Sequence, residues 1–363
     1  MLNRSKLFKK VEDLSDKIFF DISNELKIAL KTWQIIVNDD NFQEKLLDLN
    51  SPWLLPSWSE NLETKYKSDL DLNNYEIIGI DGSQVYPDRH QGSSAFLINI
   101  GAVKLSYSEN SKAELFSEPH VFVGDDLEDL SINDYVDCLR EEFEFNLGLE
   151  LSQKNRLLIF DGSLIFWHLM SKDNNLKNYF LPRYLEVFKK LYENKILYCS
   201  YISFPKNKEL INLIRLQLSD FNPEQYLTKI VDKISDADLM SKLLEKNERT
   251  IVFENQAQIV KFYPDELKPH FFYINVGDEI ARVEVPAWIS EDKSNIDYIH
   301  KIILDQSEKG AGYPVVLAEA HEQAVIKSAD RFYFYELLSK LGFSKNFNIN
   351  LSRKAFKKRQ MTF

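Results

Sequence analysis

The sequence is short of the residues that build several common kinds of site. Two of its 363 residues are cysteine, Cys138 and Cys199, too few for a disulfide framework or a four-sulfur zinc site. Eleven glycines and eleven prolines exclude a collagen-like chain and argue against nucleotide folds that need several glycine-rich loops. There is no Gly-x-x-x-x-Gly-Lys-Ser/Thr phosphate loop and no His-Glu-x-x-His, and no Gly-x-Ser-x-Gly elbow. No stretch approaches the roughly 18 consecutive apolar residues of a membrane span. The opening MLNRSKLFKKVEDL has basic residues with no apolar run behind them, unlike a secretory leader. The expectation is a cytoplasmic protein with no membrane contact. Positive charge is also in deficit, with 45 Lys+Arg against 56 Asp+Glu and a net charge of −11. That disfavours an outer surface that grips bare duplex DNA. The deficit is uneven: the tail Ser352–Phe363 carries Arg353, Lys354, Lys357, Lys358 and Arg359 and no acid. A basic tail on an acidic body is either a nucleic-acid arm or a solvated terminal segment.

Apolar residues make up 44% of the chain, with 25 Phe and 17 Tyr, enough to fill a core and exclude global disorder. The length suits one large domain or two. Residues 1 to about 50 read as helical, with Leu7, Val11, Leu14, Ile18, Ile22, Leu26 and Leu30 at spacings of three and four, and Ser51–Trp58 (SPWLLPSW) punctuates them. Strands follow at Tyr75–Ile80, Ser94–Tyr107 and Glu114–Val123. The connections have no helical period, so these three are expected to be antiparallel neighbours. Ser131 caps a helix running to about Ser152. The apolar strand Leu157–Phe160, a helix over Leu181–Asn194 and the strand Ile196–Ile202 come next. Residues 205–265 read as a mostly helical insertion. Strands resume at Phe271–Val276 and Ala281–Trp288, then a helix at Ser294–Glu308, a strand at Val315–Ala318 and a last helix from Glu319 to about Leu341. This order predicts an α/β fold with a mixed sheet flanked by helices. It divides into an N-terminal helical region, 1–70, and a main domain, 71–363, carrying the insertion.

One device occurs twice. Asp81-Gly82-Ser83 and Asp161-Gly162-Ser163 each end an apolar strand. A carboxylate at the C-terminal end of a central strand stands beside the crevice where open α/β sheets bind ligands. Two of them on neighbouring strands suit a hard divalent cation, which takes oxygen ligands. Asp-Gly-Ser is also ordinary turn chemistry; the repetition brings the two readings level. A third carboxylate is expected from the helix before Asp161, from among Glu141, Glu142 and Glu144. Val136, Leu139, Phe143 and Leu147 mark the buried stripe of that helix. At about 100° per residue Glu144 stands on its shoulder and Glu141 nearly opposite, on a solvated face. His321, in VVLAEAH, is placed where a strand turns into a helix, suited to binding metal, orienting a phosphate or moving a proton. The remaining histidines read as structural. Three carboxylates and a histidine around divalent ions suit phosphodiester hydrolysis. Cys138 and Cys199 read as inert.

In these residues the chain resembles the NurA-type nuclease family. The shared segments are IIGIDGSQ (Ile77–Gln84), the helix bearing Arg140 and Glu144, LLIFDGSL (Leu157–Leu164), Ser235–Thr250, IARVEVPAW (Ile280–Trp288) and GYPVVLAEAH (Gly312–His321), in the family's order. The resemblance implies a ribonuclease-H-like core and a manganese-dependent nuclease (magnesium is the alternative ion) with exonuclease and single-strand endonuclease activity on DNA. It also implies a homodimer working with a HerA-type hexameric ATPase in DNA end processing and repair. By position it assigns Asp81, Glu144, Asp161 and His321 to the catalytic and metal-binding site. Glu141 and Glu142 offer other registers for the glutamate. Tyr333 and Tyr335 are both candidates for the family's additional C-terminal tyrosine. A motor that feeds DNA into an enclosed groove would explain how an acidic body acts on DNA, with the tail lining the path. Two other readings stand beside this one: an actin-like or sugar-kinase-like phosphotransferase, and an inactive nuclease-like scaffold for the ATPase.

Overall fold

The computed structural model describes residues 2–344 apart from 20, 48, 50, 69–71, 73, 89–93, 125–130 and 227–228. The N-terminal stretch forms α1 (Arg4–Glu12), α2 (Ser15–Ile18), α3 (Ser23–Val37) and α4 (Phe42–Leu47). Two short strands follow, β1 (Ser57–Trp58) and β2 (Tyr66–Lys67). The long strands β3 (Tyr75–Val85), β4 (Ala95–Tyr107) and β5 (Lys112–Val123) form the expected antiparallel meander. Then come α5 (Ile132–Leu151), β6 (Arg156–Asp161), α6 (His168–Ser171), α7 (Asn174–Glu193) and β7 (Leu197–Ile202). The 205–265 stretch gives α8 (Glu209–Leu218), α9 (Asp236–Leu243), β8 (Glu248–Arg249) and β9 (Phe253–Glu254). The chain continues with β10 (Pro269–Asn275), β11 (Ile280–Pro286), α10 (Ala287–Ser290), α11 (Lys293–Lys309), α12 (Val315–Ala324) and α13 (Ser328–Ser344).

The strands join in one mixed sheet ordered β1-β9-β10-β11-β7-β6-β3-β4-β5, with β2 and β8 off this path. β6 runs parallel to β3, and β7 parallel to β6. β11 closes antiparallel on β7. Parallel central strands need helical crossovers and are buried on both faces. This is why LLIF at Leu157–Phe160 is apolar without alternation and wholly buried. The principal core lies around β3, β6, β7, α5 and α7. A second gathers α3, α8 and α9 on β10 and β11 through Leu26, Trp33, Ile214, Leu239, Phe271 and Tyr273.

One expected strand is a helix. Val315–Ala318 opens α12, behind Pro314 as its N-cap residue. A short apolar run does not distinguish a strand from a buried helix. The decisive spacing is longer than the run: Val316, Ala320 and Ala324 recur every four residues and are all buried. Two glycines let this helix lie directly on the sheet. A Cβ on Gly79 would meet the carbonyl oxygen of Val316 at 2.7 Å, and one on Gly101 would meet the backbone nitrogen of Ala324 at 2.3 Å. Both obstacles are backbone, so neither strand tolerates a side chain there. The expected last helix is correspondingly two, α12 and α13, broken at Val325.

Candidate active site

Ile80 of β3 lies opposite Phe160 of β6 in parallel register. Asp81 and Asp161 are the next residue on each strand, so the two aspartates are neighbours; beyond them the segments part, because β3 runs on to Val85, against the expectation that it ends at Asp81, whereas β6 ends at Asp161. Successive strand residues face opposite ways. Gly79 and Asp81 meet α12, while Gly82 meets α5. Asp81 Oδ2 lies 2.7 Å from His321 Nδ1, and Oδ1 accepts the Gly82 amide at 2.7 Å. His321 sits in the second turn of α12, not at a strand-to-helix junction, and its side chain is 61% exposed. Asp161 Oδ2 accepts the Tyr313 hydroxyl at 3.1 Å, and the Tyr313 ring packs edge-on against Tyr201.

From the other side, α5 brings Glu144 to Gly82. A Cβ at residue 82 would stand 2.3 Å from Glu144 Oε1, so glycine is the residue that admits this carboxylate. Glu144 is bonded to Arg140 one turn earlier, and Arg140 Nη1 also reaches the Gly82 carbonyl at 3.4 Å. Burial pushes the Glu144 carboxyl up to about 8. Arg140 opposes the shift, and the charges of Asp81, Glu141 and Asp161 add to it. Asp161, though exposed at the end of β6, is raised in the same direction, first by the desolvation that the surrounding protein imposes on its carboxyl and then by Asp81. Arg140 is held protonated, chiefly by Glu144.

The other two glutamates are engaged by other partners. Glu142 is buried against Arg183, with Nε at 2.9 Å. Glu141 lies 3.1 Å from His168 Nε2 and is only 21% exposed. Its expected solvated face is covered because α7 lies beside α5 on the same face of the sheet and His168 of α6 meets Glu141. Tyr335 is buried against Val85, Ala95 and Leu97, and Tyr333 is exposed. Among the described tyrosines it is Tyr313 that bonds a site carboxylate; its position just ahead of the VVLAEAH segment was the available signal. Arg140, named from the sequence only as a residue of the shared helix, is the partner of Glu144. Arg353, Lys354, Lys357, Lys358 and Arg359 lie outside the described residues. Both cysteines are buried, and burial pushes the Cys138 thiol up to about 12.

Among the described residues no three His, Cys, Asp or Glu side chains stand close enough to enclose one metal ion. Asp81 is turned to His321, Glu144 to Arg140 and Asp161 to Tyr313. The donor set nonetheless fits a hard divalent cation. It offers three carboxylates, Glu144 buried, Asp81 partly covered and Asp161 exposed at the end of β6, and a cation would relieve the crowding that opposes ionisation of Glu144 and Asp161. It also has a glycine that keeps Glu144 against β3 where a Cβ would expel it.

The fold has a relative among solved structures. A solved structure described as the NurA nuclease from Sulfolobus solfataricus superimposes with a TM-score of 0.58 at 15% identity, covering 95% of this chain and 98% of that one. Structures described as NurA with manganese and as NurA bound to dAMP and manganese match at 11% and 14% identity, with TM-scores of 0.44 and 0.35. Each covers 91% of this chain and, respectively, 98% and 95% of the other. No curated protein sequence matches. The NurA domain matches residues 75–326, a span that runs from β3 to just past α12 and holds Asp81, Glu144, Asp161, Tyr313 and His321; the chain belongs to the NurA domain family.

Proposed function

We propose that this protein is a divalent-metal-dependent deoxyribonuclease that hydrolyses phosphodiester bonds. The observation that carries the reading is the pairing of Asp81 and Asp161 on adjacent parallel strands, with Glu144 admitted beside them by Gly82. Asp81, Glu144 and Asp161 would hold the ion, manganese first and magnesium second. When bound, the ion supplies Lewis acidity and a more acidic water. The chain's own groups do the rest. Asp81 fixes one ring nitrogen of His321 and leaves Nε2 directed away from the carboxylate, toward solvent. There it is set to hold a scissile phosphate or hand a proton to the leaving oxygen. Tyr313 orients Asp161. Arg140 neutralises Glu144 when no cation does.

The chain lacks a phosphate loop, and separating paired DNA costs about 1.4 kcal/mol per base-pair step. Work on long duplex therefore calls for a translocating ATPase of the HerA type, with the nuclease as a homodimer and exonuclease and single-strand endonuclease activities in end processing. The amphipathic N-terminal helices are the proposed docking surface. The basic tail is proposed to touch phosphates. Deleting residues 352–363 should flatten the salt dependence of DNA binding by roughly one log–log unit or less per lost contact; an unchanged slope makes the tail a solvated terminus.

The direct test follows end-labelled DNA with manganese, magnesium or chelator, with and without the ATPase and ATP. Cleavage is expected with manganese, absent with chelator, and confined to single strands and frayed ends until the motor is added. Cleavage that survives chelation defeats the metal assignment. Rapid degradation of long blunt duplex by the chain alone defeats the dependence on a motor.

A further inference from the structure

A fully buried chain of charged groups ends on the turn that carries Asp161. Glu284 of β11 lies opposite Ser200 of β7, and Ser200 lies opposite Phe160 of β6. The small side chain of Ser200 lets Glu284 reach across to the turn. Its Oε2 accepts both the Ser163 hydroxyl and the Leu164 amide at 2.8 Å. Its Oε1 accepts Arg282 Nε at 2.8 Å. Arg282 Nη1 continues to Glu209 at 2.9 Å and to the Tyr273 hydroxyl at 3.2 Å. That hydroxyl donates to Asp236 at 2.8 Å, and Asp236 also accepts the amides of Leu210 and Ile211. The guanidinium lies on the face of Phe271. Arg282, Glu284 and Asp236 have no exposed surface, and Glu209 almost none.

Buried ions give poor returns in stability, because desolvation offsets most of their attraction. A network of this kind, aimed at one turn, is better explained by what it holds. The turn needs holding: Gly162 has φ +111° and no side chain to wedge it. Its own amide bonds to Tyr201 at 3.1 Å. Ser163 and Leu164 are tied by Glu284.

We propose that Glu284, braced by Arg282, is a positioning residue that fixes the Asp161-Gly162-Ser163-Leu164 turn and thereby the direction of the Asp161 carboxylate. The inference rests on the nuclease reading for its catalytic consequence, but the geometry of the turn is measurable without it. Outer partners of metal-binding carboxylates are typically worth 10–100-fold in affinity or activity.

The test uses the full chain with Ser163→Ala, Glu284→Gln and, as a control at the far end of the same network, Asp236→Asn. Ser163→Ala removes one bond to Glu284, together with the bonds the hydroxyl makes to the Ile165 backbone, without stranding a buried charge, and Glu284→Gln separates the two because it leaves the Ile165 bonds in place. Ser163→Ala should weaken manganese binding, read by titration and electron paramagnetic resonance, by about tenfold. It should also speed amide exchange in residues 160–166 and lower kcat with KM little changed. Glu284→Gln should act in the same direction and more strongly. Asp236→Asn should lower Tm and leave manganese affinity and the 160–166 exchange unchanged. Wild-type exchange and manganese affinity in folded Ser163→Ala and Glu284→Gln overturn the proposal. So does an Asp236→Asn protein that loses manganese affinity and turn protection as much as they do, since the effect is then one of stability alone. If the wild-type chain cuts no DNA, the nuclease reading fails, and the exchange and binding measurements still decide the role of Glu284.

Discussion

Asp161→Asn is expected to lower the cleavage rate by on the order of 10³-fold, about 4 kcal/mol of transition-state stabilisation, while Tm stays level or rises. The two halves of this expectation have one cause. Crowding by the surrounding protein and the neighbouring Asp81 raise the Asp161 carboxyl, and since the residue is exposed at the end of β6 solvent screens most of that cost and leaves its charged form only slightly disfavoured. An acid whose folded-state pKa is raised lends stability below its ordinary pKa and loses it as pH rises through the raised value. At neutral pH the ionised carboxylate is therefore a burden on the fold, and the neutral amide relieves it. Asparagine keeps the oxygen that accepts Tyr313. Cleavage of end-labelled DNA and calorimetry at pH 5 and pH 8 check both halves, and the Tm advantage of the variant should grow with pH. A wild-type cleavage rate in Asp161→Asn removes this residue from the site. Asp81→Asn should be equally inactive. Its effect on stability should be small, because the His321 it faces is largely exposed.

Glu144→Gln should cost on the order of 10²-fold in rate, about 3 kcal/mol, and Glu141→Gln far less. Glu144 stands against Gly82 between Arg140 and the aspartates, whereas Glu141 is turned to His168. Glutamine is the informative substitution because it keeps the shape that fills the space over Gly82. Alanine at 144 empties the space over Gly82 and takes the bonding partner of the partly exposed Arg140, and would confuse instability with inactivity. Rates for the two Gln variants, taken beside their melting curves, separate these effects. A larger rate loss at 141 than at 144 means that the helix supplies a different carboxylate.

The central strands were readable because two-sided burial writes itself as an unbroken apolar run, and LLIF is one. The Asp-Gly-Ser pair was readable because both copies end such runs. The stripe of Val136, Leu139, Phe143 and Leu147 marked only one side of α5, because Phe145 and Gly148, on its other side, are what meet the sheet at Phe160. What escaped depended on partners distant in sequence. Val315–Ala318 reads as a strand until Gly79 and Gly101 are seen to leave room for a helix against the sheet. Glu141 reads as solvated until α6 and α7 cover it. Tyr313 has no pattern of its own; it matters because α11 and the turn after it deliver its hydroxyl to Asp161, 152 residues earlier in the chain. The charges of Arg282 and Glu284 gave no hint that both are buried within strand β11.

The alternation along β10 and β11 has a thermodynamic consequence. Phe272, Ile274, Val283 and Val285 belong to the principal core, while Phe271, Tyr273 and Ile280 belong to the second. One pair of strands is thus the floor of both cores, and neither can lose its floor without exposing the other. Local opening follows contiguous cooperative units, and here the boundary between two units runs through the middle of a strand, where no hinge can form. The helical layer of α3, α8 and α9 is therefore coupled in unfolding to the strands that carry the aspartates. Heat that frees one is expected to free the other, and a residue such as Trp33, remote from Asp161, should report the same melting transition.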